Sequence, residues 1–298
     1  MSDSQTRNVA VIGLGQMGGG IARNLDKAGL LGAAWDVDET LRAPFANRPG
    51  VAVVPPPEMP ETSCTRFVFV VPSTKEIDQC LHEQGMLERI AADSIILDFT
   101  TSDPTESGKL AAQAEARSIA YLDCGMTGGA MGADAGDLKL MIGGDGEAIS
   151  RCQDLFEPIT VQTFHMGPQG AGHMTKLIHN MVLHTMFMAN VEGVRAAQRA
   201  GINPTKLIEV FNAGNARSYT SEVRFPKSIL SDTWDARSRV ANLEKDVRMA
   251  VKVSHDLGAP TPFADVTVDF LARALNAGMK DTDYSRLFQV FDELAEAK

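Results

Sequence analysis

The chain has 298 residues, 44% of them hydrophobic and 22% charged, and a formal net charge of −10. This balance excludes wholesale disorder, collagen and coiled coil, and at roughly 100–200 residues per domain the length fits about two domains. The acidic surplus argues against a nucleic-acid partner, because binding phosphates draws on surplus Lys and Arg.

Val9–Ile12 reads as a strand, followed by glycines and a helix through Ala28. Gly32–Val37, Arg66–Val71, Ser94–Asp98, Ile119–Asp123 and Leu138–Ile142 read as further strands. Short apolar runs alternating with helical stretches predict a mostly parallel sheet covered by helices. Pro55–Pro57 and Pro60 mark a surface connection that cannot join a central strand. After Pro168 the pattern changes. Ala171–Ala200 contains no proline and is apolar at helical spacing, with Leu177, Met181, Met188 and Val191 on the stripe. It predicts a helix of roughly 30 residues, about 45 Å long, closed by Gly201. Pro204–Ala213, Leu243–Leu257 and Thr261–Ala277 read as further helices, and no strand is predicted after Phe164. The expected fold is an α/β domain over 1–165 and an all-α domain over 166–298, entered by the long helix.

Four scattered cysteines, Cys64, Cys80, Cys124 and Cys152, form no CxxC pair and read as reduced thiols. The N-terminus shows no signal-peptide core, and no apolar run approaches the roughly 18 residues that span a bilayer. The expectation is a cytoplasmic protein without a membrane partner. The six histidines make neither HExxH nor an i, i+4 pair on one helix, so no metal is expected. A GxSxG nucleophile turn is absent too.

Gly13-Leu14-Gly15-Gln16-Met17-Gly18 is a GxGxxG stretch that follows a strand and opens a helix. The first glycine permits the tight turn, the second lets a pyrophosphate approach the backbone, and the third lets helix and strand pack closely. The helix N-terminus offers free N–H groups to phosphates. Asp36 ends the second strand, where a carboxylate accepts hydrogen bonds from an adenosine ribose and repels a 2′-phosphate. This predicts NAD over NADP, although a strand-end aspartate in an ordinary turn looks the same in sequence. Asp123–Gly136 (DCGMTGGAMGADAG) also follows a strand, and Thr127-Gly128-Gly129 offers a hydroxyl and two unhindered N–H groups for an anion. On its own it reads equally as a flexible loop. Lys176 and Asn180 lie four apart and share one helix face. On spacing alone Lys176 reads first as a lysine snorkelling at a domain boundary. Partial burial would also lower its pKa and suit it to acid–base work.

Taken together and in this order, the motifs resemble the β-hydroxyacid dehydrogenase family, which includes 3-hydroxyisobutyrate dehydrogenases and tartronate semialdehyde reductases. VIGLGQMGGGIARNL resembles the family's cofactor fingerprint, and DCGMTGGAMGADAGDLKLMIGG its substrate loop. GPQGAGHMTKLIHN resembles its catalytic helix, LEKDVRMA its Lys-Asp motif, and GMKDTDYSRLF its terminal segment. The resemblance runs nearly end to end. It implies a Rossmann-type first domain, with the active site in the cleft between the domains. It also implies an NAD-dependent enzyme that interconverts a small 3-hydroxy acid with its 3-oxo acid or semialdehyde. Lys176 would be the general acid/base and Asn180 would anchor substrate beside it. Thr127, Gly128 and Gly129 would hold the acid group, and Lys245 would sit near nicotinamide and substrate. Val71, Pro72, Thr101 and Glu76 would contact the cofactor. The resemblance further implies a homodimer or homotetramer.

The chain departs from the family in carrying Thr127 for the usual serine, Gly125 and Met126 for a proline-valine pair, and Arg239 and Asn242 where many members are apolar. These changes bear on the substrate. An imine reductase shares the architecture but generally lacks a lysine at the position of Lys176. A short 6-phosphogluconate dehydrogenase-like enzyme would share KLIHN, yet His184 stands where its helix bears a glutamate. A dinucleotide-binding scaffold would have lost the lysine.

Overall fold

The computed structural model describes residues 7–296. Seven strands form one sheet: β1 (Val9–Ile12), β2 (Leu31–Trp35), β3 (Arg66–Phe69), β4 (Ile95–Asp98), β5 (Ala120–Thr127), β6 (Leu138–Gly143) and β7 (Thr160–Gly167). Their order is β2-β1-β3-β4-β5-β6-β7. The first five run parallel; β6 pairs antiparallel with β5, and β7 runs parallel to β6. Ala52 adds a single parallel bridge to Ala33 at the β2 edge, so the proline-rich connection stays at the rim.

The strands covered on both faces are the ones written as continuous apolar runs. Val9, Val11, Val68, Leu97 and Leu122 feed one core layer, and Ala10, Ile12, Phe67, Phe69, Ile96 and Tyr121 the other, as a period of two requires. Helix α1 (Gln16–Lys27) contributes Ile21 and Leu25 to the first layer, and α2 (Pro104–Glu115) contributes Leu110 and Ala114 to the second. The short helix α3 (Gly129–Ala135) packs against α1 so closely that a Cβ at Gly20 would meet the Ala133 carbonyl carbon at 2.7 Å. Strand β7 is the one that apolar runs do not reveal. It is an edge strand with most positions exposed, so its sequence, TVQTFHMG, carries no buried run.

At the opposite end of the sheet from the glycine turn, buried Arg66 donates to both carboxylate oxygens of Asp154 (2.5 and 2.9 Å) and to Asn8 Oδ1 (2.5 Å). This ties β3 to helix α4 (Gln153–Phe156). Burial raises the Asp154 pKa, but the hydrogen bond and charge of Arg66 outweigh that and hold it below the ordinary value. A carboxylate with a depressed folded pKa contributes stability above its unfolded pKa, about 3.9, and loses it as pH falls through the folded value. Asp154→Asn is therefore expected to lower Tm near neutral pH, with the gap to wild type closing below about pH 4. Melting curves across pH test this; a gap of constant size would refute the ion pair's contribution.

The chain divides into two compact units, one running to Lys176 and the other beginning at Leu177. The division falls inside helix α5 (Ala171–Arg199), the long helix expected from the unbroken stretch. The second unit continues with α6 (Pro204–Ala213), α7 (Val240–Asp256) and α8 (Pro262–Asn276) around a core that includes Phe187, Val191, Leu243, Val247 and Leu271. Among the described residues no strand follows β7. No helix there is long and apolar enough to cross a membrane. The segment Thr220–Ile229, for which the sequence carries no clear signal, is wound with i→i+5 hydrogen bonds such as Leu230 N to Phe225 O at 2.8 Å.

Candidate active site

The sheet order reverses between β1 and β3, and ligands of such sheets sit beyond the carboxyl ends of the strands at that point. The predicted nucleotide residues cluster there. Gly13 has φ +93°, and a Cβ on it would lie 2.2 Å from the Val70 carbonyl oxygen. A Cβ on Gly18 would lie 1.9 Å from the Gly13 oxygen. These two glycines are fixed by the protein's own packing. Gly15 differs, because a Cβ there would meet nothing within 4 Å. It is exposed at the N-terminus of α1, with Gln16 and Met17 following, so the open side of the turn is the side a pyrophosphate would occupy. The residues present fit a dinucleotide.

Asp36 stands at the tip of β2. Its Oδ2 accepts from Leu14 N at 2.7 Å and its Oδ1 from Asp38 N at 2.9 Å, so the carboxylate is held in place beside the glycine turn. Arg42, the residue nearest to offering a 2′-phosphate a cation, is engaged elsewhere. It stacks 4.2 Å over Trp35, donates to the Asp36 carbonyl oxygen at 2.9 Å and pairs with Glu39 at 3.0 Å. Val71 and Pro72 follow β3, and Val71 N donates to Thr100 Oγ1 at 3.3 Å. Thr101 lies half-buried in the loop after β4. Glu76 is engaged locally. Its carboxylate accepts from Ser73 Oγ at 2.6 Å, where Ser73 caps the start of a short helix.

Strand β5 leads to the second part. Thr127 ends it, followed by Gly128 (φ +126°) and Gly129 (φ +65°), a pair of conformations that only glycine adopts without strain. Two residues before Thr127, Gly125 faces α5; a Cβ there would lie 2.6 Å from the Lys176 Cβ. Two residues earlier again, buried Asp123 accepts from Gly170 N at 2.8 Å and His173 N at 2.7 Å. Asp123 thus caps α5 from a neighbouring strand, satisfying amides that a helix leaves open and placing negative charge at its positive end.

His173 reaches deeper. Its Nε2 lies 3.2 Å from the Asp98 carbonyl oxygen and its Nδ1 3.0 Å from Ser107 Oγ, so both ring nitrogens are within hydrogen-bond reach of a partner. Asp98 is fully buried; its carboxylate accepts from Thr100 N and from the Tyr121 hydroxyl, both at 2.9 Å. Burial pushes the Asp98 carboxyl above the ordinary value against the pull of His173, and burial followed by Asp98 itself raises the Tyr121 phenol well above its own. Sequence reasoning missed Asp123, His173 and Asp98. The contacts that join Asp123 to the start of α5 and His173 to Ser107 and Asp98 span 47 to 75 residues, so no local spacing could show them.

Lys176 sits half-buried one turn after Gly172, and buried Asn180 lies one turn further on the same face of α5. Asn180 Nδ2 donates to Asp246 Oδ2 at 2.7 Å, and its Oδ1 lies 3.0 Å from His179 Nδ1. Lys245 Nζ lies 3.6 Å from Asp246 Oδ1. The Lys-Asp pair of α7 therefore comes to Asn180 through the aspartate, a link that no sequence spacing draws. Arg239 pairs with Asp281 at 2.8 Å and is more than half exposed, and Asn242 is exposed as well.

Two family models match the chain. Residues 8–167 match the NAD binding domain of 6-phosphogluconate dehydrogenase, and residues 170–291 the NAD-binding domain of NADP-dependent 3-hydroxyisobutyrate dehydrogenase. The chain belongs to the β-hydroxyacid dehydrogenase family. It is 27% identical to the NAD-dependent L-serine dehydrogenase of Pseudomonas aeruginosa over 96% of this chain and 98% of that one. It is 24% identical to the 2-(hydroxymethyl)glutarate dehydrogenase of Eubacterium barkeri over 96% and 95%. Among solved structures, the 3-hydroxyisobutyrate dehydrogenase of Mycobacterium tuberculosis, determined with L-serine, shares the fold with a TM-score of 0.87 at 24% identity, covering 96% of this chain and 99% of that one. This β-hydroxyacid dehydrogenase is an NAD-dependent oxidoreductase acting on a small hydroxy or oxo acid.

Proposed function

We propose that the enzyme interconverts a 3-hydroxy acid and its 3-oxo acid or semialdehyde, with Lys176 as general acid/base. The observation that carries this reading is the placement of Lys176. Its helix is capped by Asp123, its Cβ rests against Gly125, and the strand holding both residues ends at Thr127-Gly128-Gly129. A hydroxyl, two glycine amides and a lysine thus come off one strand and the helix seated on it. In oxidation Lys176 Nζ takes the hydroxyl proton; in reduction its ammonium returns it. NAD, when bound, accepts the hydride. Thr127 and the amides of Gly128 and Gly129 hold the acid group and turn the reacting carbon the right way. Asn180, fixed by Asp246, positions the substrate beside Lys176, and Lys245 adds positive charge. L-serine and 2-(hydroxymethyl)glutarate, named in two relatives, both carry the hydroxyl on the carbon next but one to a carboxylate, which supports this substrate class.

A spectrophotometric screen of NAD reduction tests the reading. Saturable turnover is expected with at least one of 3-hydroxypropionate, 3-hydroxyisobutyrate, glycerate, L-serine or L-threonate. Reduction of cyclic imines with no hydroxy acid oxidised would instead favour an imine reductase.

The turn residues Gly13–Gly18 and Asp36, with Val71, Pro72 and Thr101, form the proposed cofactor side. Asp36 sets the preference for NAD by accepting from the ribose and repelling a 2′-phosphate. Asp36→Asn is expected to narrow the NAD/NADP ratio of kcat/KM by about tenfold, since one charge–charge interaction is worth on the order of 1 kcal/mol near a surface. An unchanged ratio would sink the assignment.

A further inference from the structure

Strand β6 runs back along β5, and the last pair of their ladder sets Lys139 directly opposite Thr127. Thr127 closes β5 at the end of the sheet where the parallel strands β1, β3 and β4 also finish, so Lys139, second in β6, stands at that same end. Directly opposed residues of an antiparallel pair project on one face, with Cβ atoms about 5 Å apart. It is the face on which Gly125 meets the Lys176 Cβ. Gly125 comes two residues before Thr127 and pairs with Met141, two residues after Lys139. The alternate residues Leu138 and Leu140 point the other way, into the first core layer. The turn also folds down onto the start of β6, where a Cβ on Gly128 would lie 3.3 Å from Leu138 Cδ2 and 3.6 Å from Leu138 Cα. Every residue of this arrangement belongs to the unit that runs to Lys176.

Lys139 is exposed, and among the described residues no ion pair neutralises it. Its cross-strand neighbour on the other side is Gln162, which carries no charge. Asp134 pairs with Arg23, and Asp123, four residues before Thr127, is taken by the amides of α5. Asp137, two residues before Lys139, makes no ion pair with it. A lysine on an open strand face commonly serves solubility alone. This one faces a hydroxyl and two glycine amides, so that three neutral donors and a cation gather at one end of one sheet face. Such a set suits an oxyanion.

We propose that Lys139 is a substrate-specificity residue whose ammonium joins the Thr127-Gly128-Gly129 turn as a fourth donor and makes it select a carboxylate over the corresponding uncharged ester. The proposal rests on the function proposed above, in which this turn holds the acid group. The three neutral donors fix orientation, and an ester carbonyl satisfies them in part. Only a charge tells the acid from its ester. Lysine suits that task because it is a point charge on a flexible four-carbon stem, able to reach across one strand spacing without a fixed fork geometry. Since Lys139 is exposed, its effect is modest and falls with salt.

The test takes the hydroxy acid that wild type oxidises best, beginning with 3-hydroxypropionate, and its methyl ester as substrate or competitive inhibitor. Wild type, Lys139→Met and Lys139→Arg are compared at low and high sodium chloride. Methionine keeps most of the stem and removes the charge. Lys139→Met is expected to raise KM for the acid about fivefold at low salt, the range of an exposed charge pair, while the ester changes less than about twofold. Lys139→Arg should stay within about twofold of wild type on both. At about 0.5 M sodium chloride the difference between wild type and Lys139→Met should shrink, because salt screens exposed charges. Far-ultraviolet circular dichroism and NADH affinity report whether the variants are folded, and Lys139→Gln repeats the loss of charge if methionine at this position causes aggregation. A rise shared equally by acid and ester, an unchanged KM for the acid in Lys139→Met, or equal losses in Lys139→Met and Lys139→Arg overturns the proposal and leaves the function standing. If wild type oxidises no hydroxy acid, the function falls and this proposal with it.

Discussion

Lys176→Ala is expected to lower kcat by about 10³-fold while leaving NADH binding intact, because a positioned general acid/base contributes roughly 10²–10⁴-fold. The side chain sits half-buried on α5 with its Cβ against Gly125, so its removal opens a small gap at the edge of the packing. The Gly13–Gly18 turn, Asp36 and the β3 tip owe nothing to it. Lys176→Arg keeps the charge but cannot release a proton near neutrality, and it should be almost as slow. Initial rates with the best hydroxy acid, set beside a fluorescence titration with NADH, separate the two effects. Turnover within tenfold of wild type would remove Lys176 from the proton path. A parallel loss of NADH affinity would mean that the variant had disturbed the fold instead.

The largest effect on stability is expected at Gly172. A Cβ there would stand 2.3 Å from the Asp123 carbonyl oxygen, 2.5 Å from that of Met141 and 2.7 Å from Gly143 N. All three are backbone atoms of β5 and β6, so no side chain can swing aside, and α5 itself must lift. Overpacking of this kind costs on the order of 3 kcal/mol. At roughly 2–4 °C per kcal/mol for a unit of this size, Gly172→Ala should lower Tm by roughly 6–12 °C. It should also slow turnover, because Lys176 rides on the same helix one turn later. A melting curve unchanged within about 2 °C would show that the helix can shift without strain.

The elements that the sequence foretells well are those whose burial is written into consecutive residues. β1 is predicted as Val9–Ile12 and observed there, and Pro204–Ala213 likewise, since asparagine caps the helix, proline opens it and glycine follows. The long helix is foreseen to within a residue or two because nothing in Ala171–Ala200 breaks it. β7 escapes because an edge strand facing solvent needs no apolar run. The glycine turn is legible because its three positions follow three separate steric demands. The capping of α5 by Asp123 and the buried Asp98–His173 pair are not legible, because each is a contact made by tertiary folding between residues that look ordinary in their own neighbourhoods.

Tyr121, Asp123, Gly125 and Thr127 are alternate residues of β5 and therefore share a face of the sheet. The first binds Asp98, the second caps α5, the third makes room for Lys176 and the fourth begins the glycine turn. Four roles are thus phased to a single strand, as teeth are to a key. Changing any one of them is a local matter. Inserting or deleting one residue between Tyr121 and Thr127 is not, since it turns the downstream members to the opposite face together. The strand consequently tolerates drift in composition far better than drift in length. Changes of substrate can accumulate on the helical segments without disturbing that phase.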